Sequence, residues 1–219
     1  MGYVITIDGP AASGKSSVSR GLAKRLDIPW VSTGAFYRGL AYVALQEKIK
    51  LTDTQALTEL AMSDIWKVEM ASAKTEVWYK NTNVTEYIMQ EDVGNVASQM
   101  SHYPEVRSSL LDQQRQCAFK STGLVAEGRD CGTVVFPRAE VKVYLTAKSE
   151  NRAQRRAQEL GLDAKVMAIQ QKQRDEQDSS RKAAPLQIPK DAFVVDTTAL
   201  SLNEVVEIIY QWAKPKIQI

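Results

Sequence analysis

A short glycine-containing loop, residues 9–16, constrains this chain more than any other stretch of its sequence. The loop fits the spacing G-x-x-x-x-G-K-S at every defined position, with Gly9, Gly14, Lys15 and Ser16 at the fixed places. Glycines let such a loop fold tightly, so that backbone N–H groups point inward at phosphate oxygens. We therefore predict a nucleotide-triphosphate site in which Lys15 is a partly exposed charge that reaches the outer phosphates and Ser16 binds Mg²⁺.

The segments on both sides of the loop are those that the motif requires. Residues 3–7 form an apolar run of strand length, and the apolar residues after the loop recur at helical spacing. The positive end of that helix, which begins near Lys15, adds to the attraction for phosphate. The predicted ATP-binding residues are Gly9, Pro10, Ala11, Ala12, Ser13, Gly14, Lys15, Ser16 and Ser17. Asp8 leaves two alternatives open, since it either positions the metal or a water or forms hydrogen bonds at the strand end.

Short apolar strands alternate with helical segments at both ends of the chain. Strands are predicted at 3–7, 30–32, 124–127, 141–145 and 192–196, and helices at 35–48, 91–120 with a break near Pro104, 150–181 and 202–212. This alternation indicates an α/β fold with a central parallel sheet of about five strands flanked by helices. Residues 65–87 are rich in Val, Trp, Tyr and Thr and instead predict a β-hairpin or small sheet within an insert at about 60–95.

Charge and composition exclude several other classes of protein. A net charge of +2 over 219 residues is too small to indicate a nucleic-acid or membrane-surface protein. With only two cysteines and one histidine, neither a zinc site nor a disulfide scaffold is predicted. The first residues lack the layout of a signal peptide, and no stretch approaches the roughly 20 apolar residues of a membrane helix. We expect a cytoplasmic monomer that binds neither nucleic acid nor membrane.

The arginines of the chain suit a protein that holds more phosphate than the loop alone would bind. Arg174, Asp178 and Arg181 are spaced by four and three, which places them on one helical face. Arg152 and Arg156 are also four apart. Guanidinium groups are planar, permanently charged and bidentate, and they serve as clamps in phosphoryl transfer. The spacing leaves open the alternative of a solvated helical surface with ordinary ion pairs.

Several longer stretches carry a more specific signal. They are residues 7–17, 32–38, 96–99, 128–137, 174–181 and 184–186, and the most specific is G-R-D-C-G-T-V-V-F-P at 128–137. In these stretches the chain resembles the bacterial cytidylate kinases, of the nucleoside monophosphate kinase superfamily of P-loop proteins, over essentially its full length. The resemblance implies a single P-loop kinase domain over 1–219, with an acceptor-nucleotide insert at about 60–95 and a helical lid at about 150–182.

The resemblance also implies which residues hold the acceptor nucleotide. Ser98, Arg107 and Asp130 match positions that recognise cytosine. This assignment makes chemical sense, because Asp130 can accept from the 4-amino group while Arg107 and Ser98 donate to the ring acceptors. Uracil would present an acceptor to the same carboxylate and lose a bond. Thr33, Tyr37 and Arg38 lie where the family holds the acceptor, with Arg38 near its phosphate.

The remaining implied residues act on phosphate and sugar. Arg129, Arg174 and Arg181 match phosphate-binding arginines, and Asp178 matches the residue that binds the pentose hydroxyls. Arg152, Arg155 and Arg156 lie in the lid that closes over ATP, and the sequence does not say which of them reaches the phosphates. The catalytic residues that the resemblance implies are Lys15, Arg129, Arg174 and Arg181. Two departures from the family pattern are Ser17 in place of Thr and a glutamine-rich stretch at 170–173 in the lid.

The implied activity is direct in-line transfer of the γ-phosphoryl group of ATP to CMP and dCMP, with Mg²⁺. Guanine-reading proteins usually carry N-K-x-D and D-x-x-G, and this chain contains neither motif. Two rival functions remain open on the residues alone. One is a P-loop kinase for UMP, AMP or a metabolite such as shikimate, and the other is a nucleotide-binding regulator without transferase activity.

Overall fold

The computed structural model describes residues 2–70 and 74–218, excluding the side chains of residues 159 and 160. The strands are β1 (Tyr3–Asp8), β2 (Trp30–Ser32), β3 (Trp66–Met70), β4 (Thr75–Tyr79), β5 (Thr82–Asn83), β6 (Gly123–Gly128), β7 (Val141–Thr146) and β8 (Phe193–Asp196). The helices are α1 (Lys15–Leu26), α2 (Gly34–Gln46), α3 (Thr54–Ala61), α4 (Glu91–Met100), α5 (Pro104–Gln116), α6 (Ser149–Leu160), α7 (Ala164–Ser180) and α8 (Leu202–Ile217). Short 3₁₀ turns lie at Tyr87–Met89 and Cys117–Phe119, and one π-helical turn lies at Cys131–Val135.

The central sheet has five parallel strands in the order β2-β6-β1-β7-β8. The predicted α/β fold, with a central parallel sheet of about five strands flanked by helices, is confirmed. Asp8 at the end of β1 pairs in register with Gly128 at the end of β6, and Ser32 at the end of β2 pairs with Glu127. The loops that follow these strands therefore leave the sheet at one edge, which is where open α/β sheets bind ligands.

Alternating strand residues pack on opposite faces of this sheet, as the two-residue period of a strand requires. On one face, Ile5 and Val125 join a core formed with α1 and α8. On the other, Val4 and Leu124 join a larger core that includes α2 and α5. The strand that carries the phosphate loop is thereby buried on both sides, and its end is fixed.

The smaller sheet is antiparallel, in the order β3-β4-β5. It lies within the range predicted for the insert, and its register pairs Trp66 with Tyr79. Thr75 Oγ1 accepts a hydrogen bond from the Ser32 backbone N–H at 2.9 Å, so the insert is joined to the edge strand of the main sheet. Helix α3 was not predicted. The Asp53 side chain caps its N-terminus by accepting a hydrogen bond from the Ala56 backbone N–H.

Helices α6 and α7 form a helical hairpin across the carboxyl edge of the main sheet. Gly161 ends α6 with a positive φ of 67°, and the Asp163 carboxylate caps α7 by accepting from the backbone N–H groups of Lys165 and Val166. Ala153, Ala157 and Met167 form a small core between the two helices. Among the described residues, none of the helices combines the length and apolar character needed to cross a membrane.

Candidate active site

The phosphate loop connects the buried end of β1 directly to the first turn of α1. Gly14 has a φ of 88°, a conformation that residues with a side chain rarely adopt, and Lys15 begins the helix immediately afterwards. All the loop residues that the sequence predicted, 9–17, lie together at this junction. The N-terminus of α1 and the loop N–H groups thus form the setting in which anions bind.

Lys15 is buried rather than partly exposed, so that prediction was wrong. Only 6% of its surface is accessible, because the loop folds back over the ammonium group. Its Nζ donates to the Pro10 carbonyl at 2.6 Å and lies 3.5 Å from Ser13 Oγ. Burial, with a further contribution from the nearby Arg129, lowers the pKa of Lys15 to about 7. A bound phosphate would favour the ammonium form of Lys15 and raise this pKa again.

Two carboxylates at the strand ends support the loop. Ser16 Oγ donates to Glu127 Oε1 at 3.0 Å, and Glu127 is only 4% exposed at the end of β6. Asp8 is fully buried and accepts the backbone N–H groups of Cys131 at 2.8 Å and Gly132 at 2.7 Å. Burial raises the pKa of Asp8 to about 6. These bonds support the alternative that Asp8 is a hydrogen-bonding residue at the strand end, and its other alternative, positioning the metal or a water, stays a prediction.

The residues predicted to recognise the base are placed on three elements. Arg107 on α5 forms a buried ion pair with Asp130, which follows β6. The Arg107 guanidinium lies over the Tyr37 ring, 5.4 Å from its centroid. Burial raises the pKa of Tyr37 to about 12. A buried donor group beside a buried acceptor group can form specific hydrogen bonds with the edge of a base.

Ser98 does not contact this pair directly. Its Oγ donates to Gln177 Oε1 on α7 at 2.9 Å. Ser101 makes the connection instead, since its Oγ donates to the Ser98 carbonyl at 2.7 Å and its own carbonyl accepts from Arg107 at 3.4 Å. Sequence reasoning did not single out Gln177 or Ser101, because their role depends on the packing of α7 against α4.

Asp178 lies between two arginines in a second buried cluster. Arg129 Nε donates to Asp178 Oδ2 at 2.7 Å, and Arg181 Nη2 is 3.2 Å from Oδ1. Burial acts to raise the pKa of Asp178, but Arg129 and Arg181 outweigh it and hold the pKa below its usual range. Asp178 and Arg181 are 8% and 6% exposed, so the alternative of a solvated surface is wrong. Arg181 directly follows the last residue of α7 rather than lying within the helix. It nevertheless contacts Asp178, as the spacing predicted.

The α6–α7 hairpin contacts the phosphate loop through Arg152 and Asp175. Arg152 Nη1 donates to the Ala11 carbonyl at 2.8 Å and pairs with Asp175 Oδ2 at 2.7 Å. Asp175 Oδ1 in turn accepts the Ala11 backbone N–H at 3.0 Å. Arg155 points elsewhere and donates to the Thr197 carbonyl at 2.6 Å. Asp175 was missed, although it directly follows the predicted Arg174.

Two further arginines of the α6–α7 hairpin contact the first turn of α4. Arg156 Nη2 donates to Glu91 Oε1 at 2.9 Å, and Arg174 pairs with Glu91 Oε2. Arg174 also donates to Asn95 Oδ1 at 2.9 Å. Arg38, on α2, reaches the same region and donates to the Ile88 and Gln90 carbonyls just before α4. Thr33 lies farther back, where its Oγ1 donates to the Glu127 carbonyl at 3.0 Å.

A parallel sheet and a glycine-containing phosphate loop, with arginines of a helical hairpin beside that loop, are typical of the class of P-loop kinases. A solved structure shows the same fold: a gluconokinase from Sinorhizobium meliloti 1021 has a TM-score of 0.53, covering 99% of this chain and 94% of the other at 15% identity. That likeness concerns the fold alone.

Closer relatives narrow the class to one family. The family model for cytidylate kinase matches residues 5–215. A cytidylate kinase from Bdellovibrio bacteriovorus (strain HD100) is 63% identical over 217 residues, which are 99% of this chain and 100% of the relative. Another, from Geobacillus sp. (strain WCH70), is 41% identical and covers 97% of both chains. The chain belongs to the cytidylate kinase family, and the resemblance predicted from its motifs is confirmed.

Proposed function

We propose that this protein transfers the γ-phosphoryl group of ATP to CMP and dCMP, giving CDP and dCDP. The observation that carries the proposal is the position of the Arg107–Asp130 pair at the same sheet edge as the phosphate loop, in a chain of this family. The phosphate oxygen of the acceptor is the nucleophile in a direct in-line transfer. It is already ionised near neutral pH, so no catalytic base is required.

Positioned cations supply the catalysis. Lys15 reaches the β- and γ-phosphates, and Arg129, Arg174 and Arg181 stabilise the charge that develops on the transferring group. Arg152 and Arg156, from the lid, contact the ATP side of the site. The contact of Arg152 with the Ala11 carbonyl supports this role, because it brings a lid arginine onto the loop itself. A closed lid also keeps water from accepting the phosphoryl group.

The donor set at Ser16 fits a Mg²⁺ ion. Mg²⁺ prefers oxygen ligands and keeps several waters, so one hydroxyl with a carboxylate behind it is a suitable protein contribution. Ser16 supplies the hydroxyl and Glu127 the supporting carboxylate, at 3.0 Å. No group of three His, Cys, Asp or Glu side chains suited to a metal lies within 2–70 and 74–218. When bound, the ion would be held through Ser16 and would neutralise part of the charge of the phosphates.

The acceptor occupies the other side of the site. Ser98, Arg107 and Asp130 read cytosine, and Thr33, Tyr37 and Arg38 hold the nucleotide, with Arg38 near its phosphate. Asp178 binds the pentose hydroxyls beside Arg129 and Arg181. The buried ion pairs of Asp130 and Asp178 support these roles, because each holds a carboxylate at a defined position without a solvent shell.

The protein is further proposed to act in the cytoplasm as a monomer on small molecules. Cys117 and Cys131 are buried free thiols, which suits a reducing compartment.

An assay of ADP release tests the function directly. We expect rapid ADP formation from ATP with CMP or dCMP, and slow formation with UMP, AMP or shikimate. Reactions without an acceptor measure any background hydrolysis. No ADP release above that background with CMP would favour a nucleotide-binding regulator, and a faster rate with AMP or shikimate would favour another P-loop kinase.

Asp130→Asn is expected to reduce the preference for CMP over UMP. The wild-type carboxylate accepts from the 4-amino group of cytosine, and losing one such buried bond costs about 1–3 kcal/mol, or roughly ten- to hundredfold in kcat/KM. The asparagine amide can donate to the uracil oxygen, so the two substrates should become comparable. Asp112→Asn, an exposed change on α5, is the matched control. Equal kcat/KM for CMP and UMP in the wild type would rule out cytosine reading by Asp130.

ATP binding is expected to take up a proton at Lys15. In the free protein the pKa of Lys15 is about 7, so the amine is largely neutral at higher pH. Phosphate charges favour the ammonium form and raise that pKa, so binding near pH 8 should take up about one proton more than near pH 6. Calorimetry in two buffers of different ionisation enthalpy measures the uptake. Lys15→Met gives the proton exchange of ATP alone, and the same value in wild type would contradict the expectation.

A further inference from the structure

The first turn of α4 contacts arginines from three separate elements. Glu91, its first residue, accepts from Arg156 of α6 through Oε1 and pairs with Arg174 of α7 through Oε2. Arg38 of α2 donates to the carbonyls of Ile88 at 2.7 Å and Gln90 at 3.2 Å, just before the helix begins. One turn therefore holds side chains that come from both lid helices and from the acceptor side.

The contact with Arg38 depends on a glycine. A Cβ built on Gly94 would lie 2.7 Å from Arg38 Nη2, closer than real Cβ atoms come, and 3.0 Å from Cζ, closer than most of them come. The bare backbone of Gly94 thus lets the guanidinium lie flat against α4, where the two carbonyls fix it. Gly94 has an ordinary helical conformation, so its backbone does not require glycine, and close packing is what does.

Within the described part of the chain, the side-chain hydrogen bonds of Arg174 come from one nitrogen, Nη2. Its Nη2 meets Glu91 and Asn95 Oδ1, whereas its Nε is buried and, among the described residues, has no hydrogen-bond partner. A buried donor without a partner is costly, and an anion at that edge would satisfy it. Glu91 therefore orients Arg174 and leaves its other edge available, rather than covering the whole guanidinium.

We propose that the first turn of α4 is a positioning platform for the phosphate-binding arginines, in which Glu91 orients Arg174 and Arg156 and Gly94 seats Arg38. Neither residue touches the substrate. The platform brings acceptor-side and lid arginines to one place, so that the phosphates of the two nucleotides meet them already oriented. The proposal deepens the proposed function and rests on it, because it assumes that Arg38 lies near the acceptor phosphate, that Arg174 contacts the transferring group and that Arg156 contacts the ATP side.

Glu91→Gln tests the first half of the platform. The amide keeps the size of the side chain but loses the charge that attracts two guanidinium groups, so kcat/KM for CMP should fall by about tenfold or more. Affinity for cytidine, which has the base and sugar but no phosphate, should stay within about twofold. Asp92→Asn removes an equal charge from the exposed neighbour in the same turn and controls for the helix dipole. It should change neither quantity.

Gly94→Ala tests the second half and separates positioning from stability. Alanine is the better helix former, so the unfolding temperature should stay the same or rise. The added methyl group displaces the flexible tip of Arg38, so kcat/KM for CMP should still fall by about fivefold or more. Lower activity in a protein of equal or greater stability is a result that a merely structural role would not give.

Three results would overturn the platform in a wild-type protein that phosphorylates CMP. They are kcat/KM within about twofold of wild type in both variants, an equal loss in Asp92→Asn, or a parallel loss of cytidine affinity. A wild-type protein without CMP-dependent activity would instead overturn the proposed function, so the two failures are distinguishable.

Discussion

Lys15→Ala is expected to abolish phosphoryl transfer without unfolding the protein. Lys15 is the loop cation proposed to contact the transferring phosphates, and removing one such stabilising group typically lowers kcat by about 10²–10³ or more. The fold should tolerate the change because the ammonium is buried at a cost, as the lowering of its pKa to about 7 indicates. The measurements are kcat with ATP and CMP, and the unfolding temperature followed by circular dichroism.

Lys24→Ala is the matched control for this experiment. Lys24 lies in the last turn of the same helix, α1, and is exposed, so its loss removes the same charge away from the loop. Near-normal turnover in Lys15→Ala would show that the loop does not bind the reacting phosphates. A large fall in unfolding temperature in Lys15→Ala would show that the buried ammonium stabilises the fold.

Arg181→Ala and Asp178→Asn are expected to separate phosphate binding from sugar binding. Arg181→Ala should lower kcat/KM by about a hundredfold or more for CMP and dCMP alike, because it removes a buried cation from the proposed path of the transferring charge. Cytidine has no phosphate, so its affinity should stay within about twofold in this variant. In Asp178→Asn, by contrast, cytidine binding should weaken together with CMP and dCMP binding.

The substitution at Asp178 must be conservative. Its carboxylate contacts Arg129 at 2.7 Å and Arg181 at 3.2 Å, and breaking a buried pair by deleting one partner costs about 3–5 kcal/mol. Asparagine keeps an acceptor in place, and thermal unfolding of both variants shows whether the fold survives. Arg138→Ala, at an exposed arginine outside the site, is the control for charge. Turnover of CMP within about twofold of wild type in Arg181→Ala, a margin of ~0.4 kcal/mol, would rule out its catalytic role.

Features that depend only on residues close together in the chain could be predicted from the sequence. The phosphate loop could be predicted because its spacing, the apolar run before it and the helical period after it all lie within residues 3–26. The five parallel strands followed from the alternation of apolar runs and helices. The short α3 was missed because its apolar residues, Leu57, Leu60 and Ala61, cover too few turns to give a clear period.

Partners that are distant in the chain could not be predicted in the same way. Ser16 meets Glu127 across 111 positions, Ala11 meets Asp175 across 164, and Arg174 meets Glu91 across 83. The first contact depends on the order of strands in the sheet, the second on the packing of α7 against the phosphate loop, and the third on the packing of α7 against α4. The spacing of residues within one segment predicts neither the strand order nor the packing of α7.

The sequence by itself determined the family and the groups that we propose for phosphate and base, because residue types at fixed spacings define the loop and the family motifs. The tertiary structure alone decided their environment. Lys15 was expected to be partly exposed and is buried, and the face of Asp178 and Arg181 was open to two interpretations until its burial was known. The physical reason is that exposure and pKa depend on what the rest of the chain packs around a side chain, and that packing comes from elements far away in sequence.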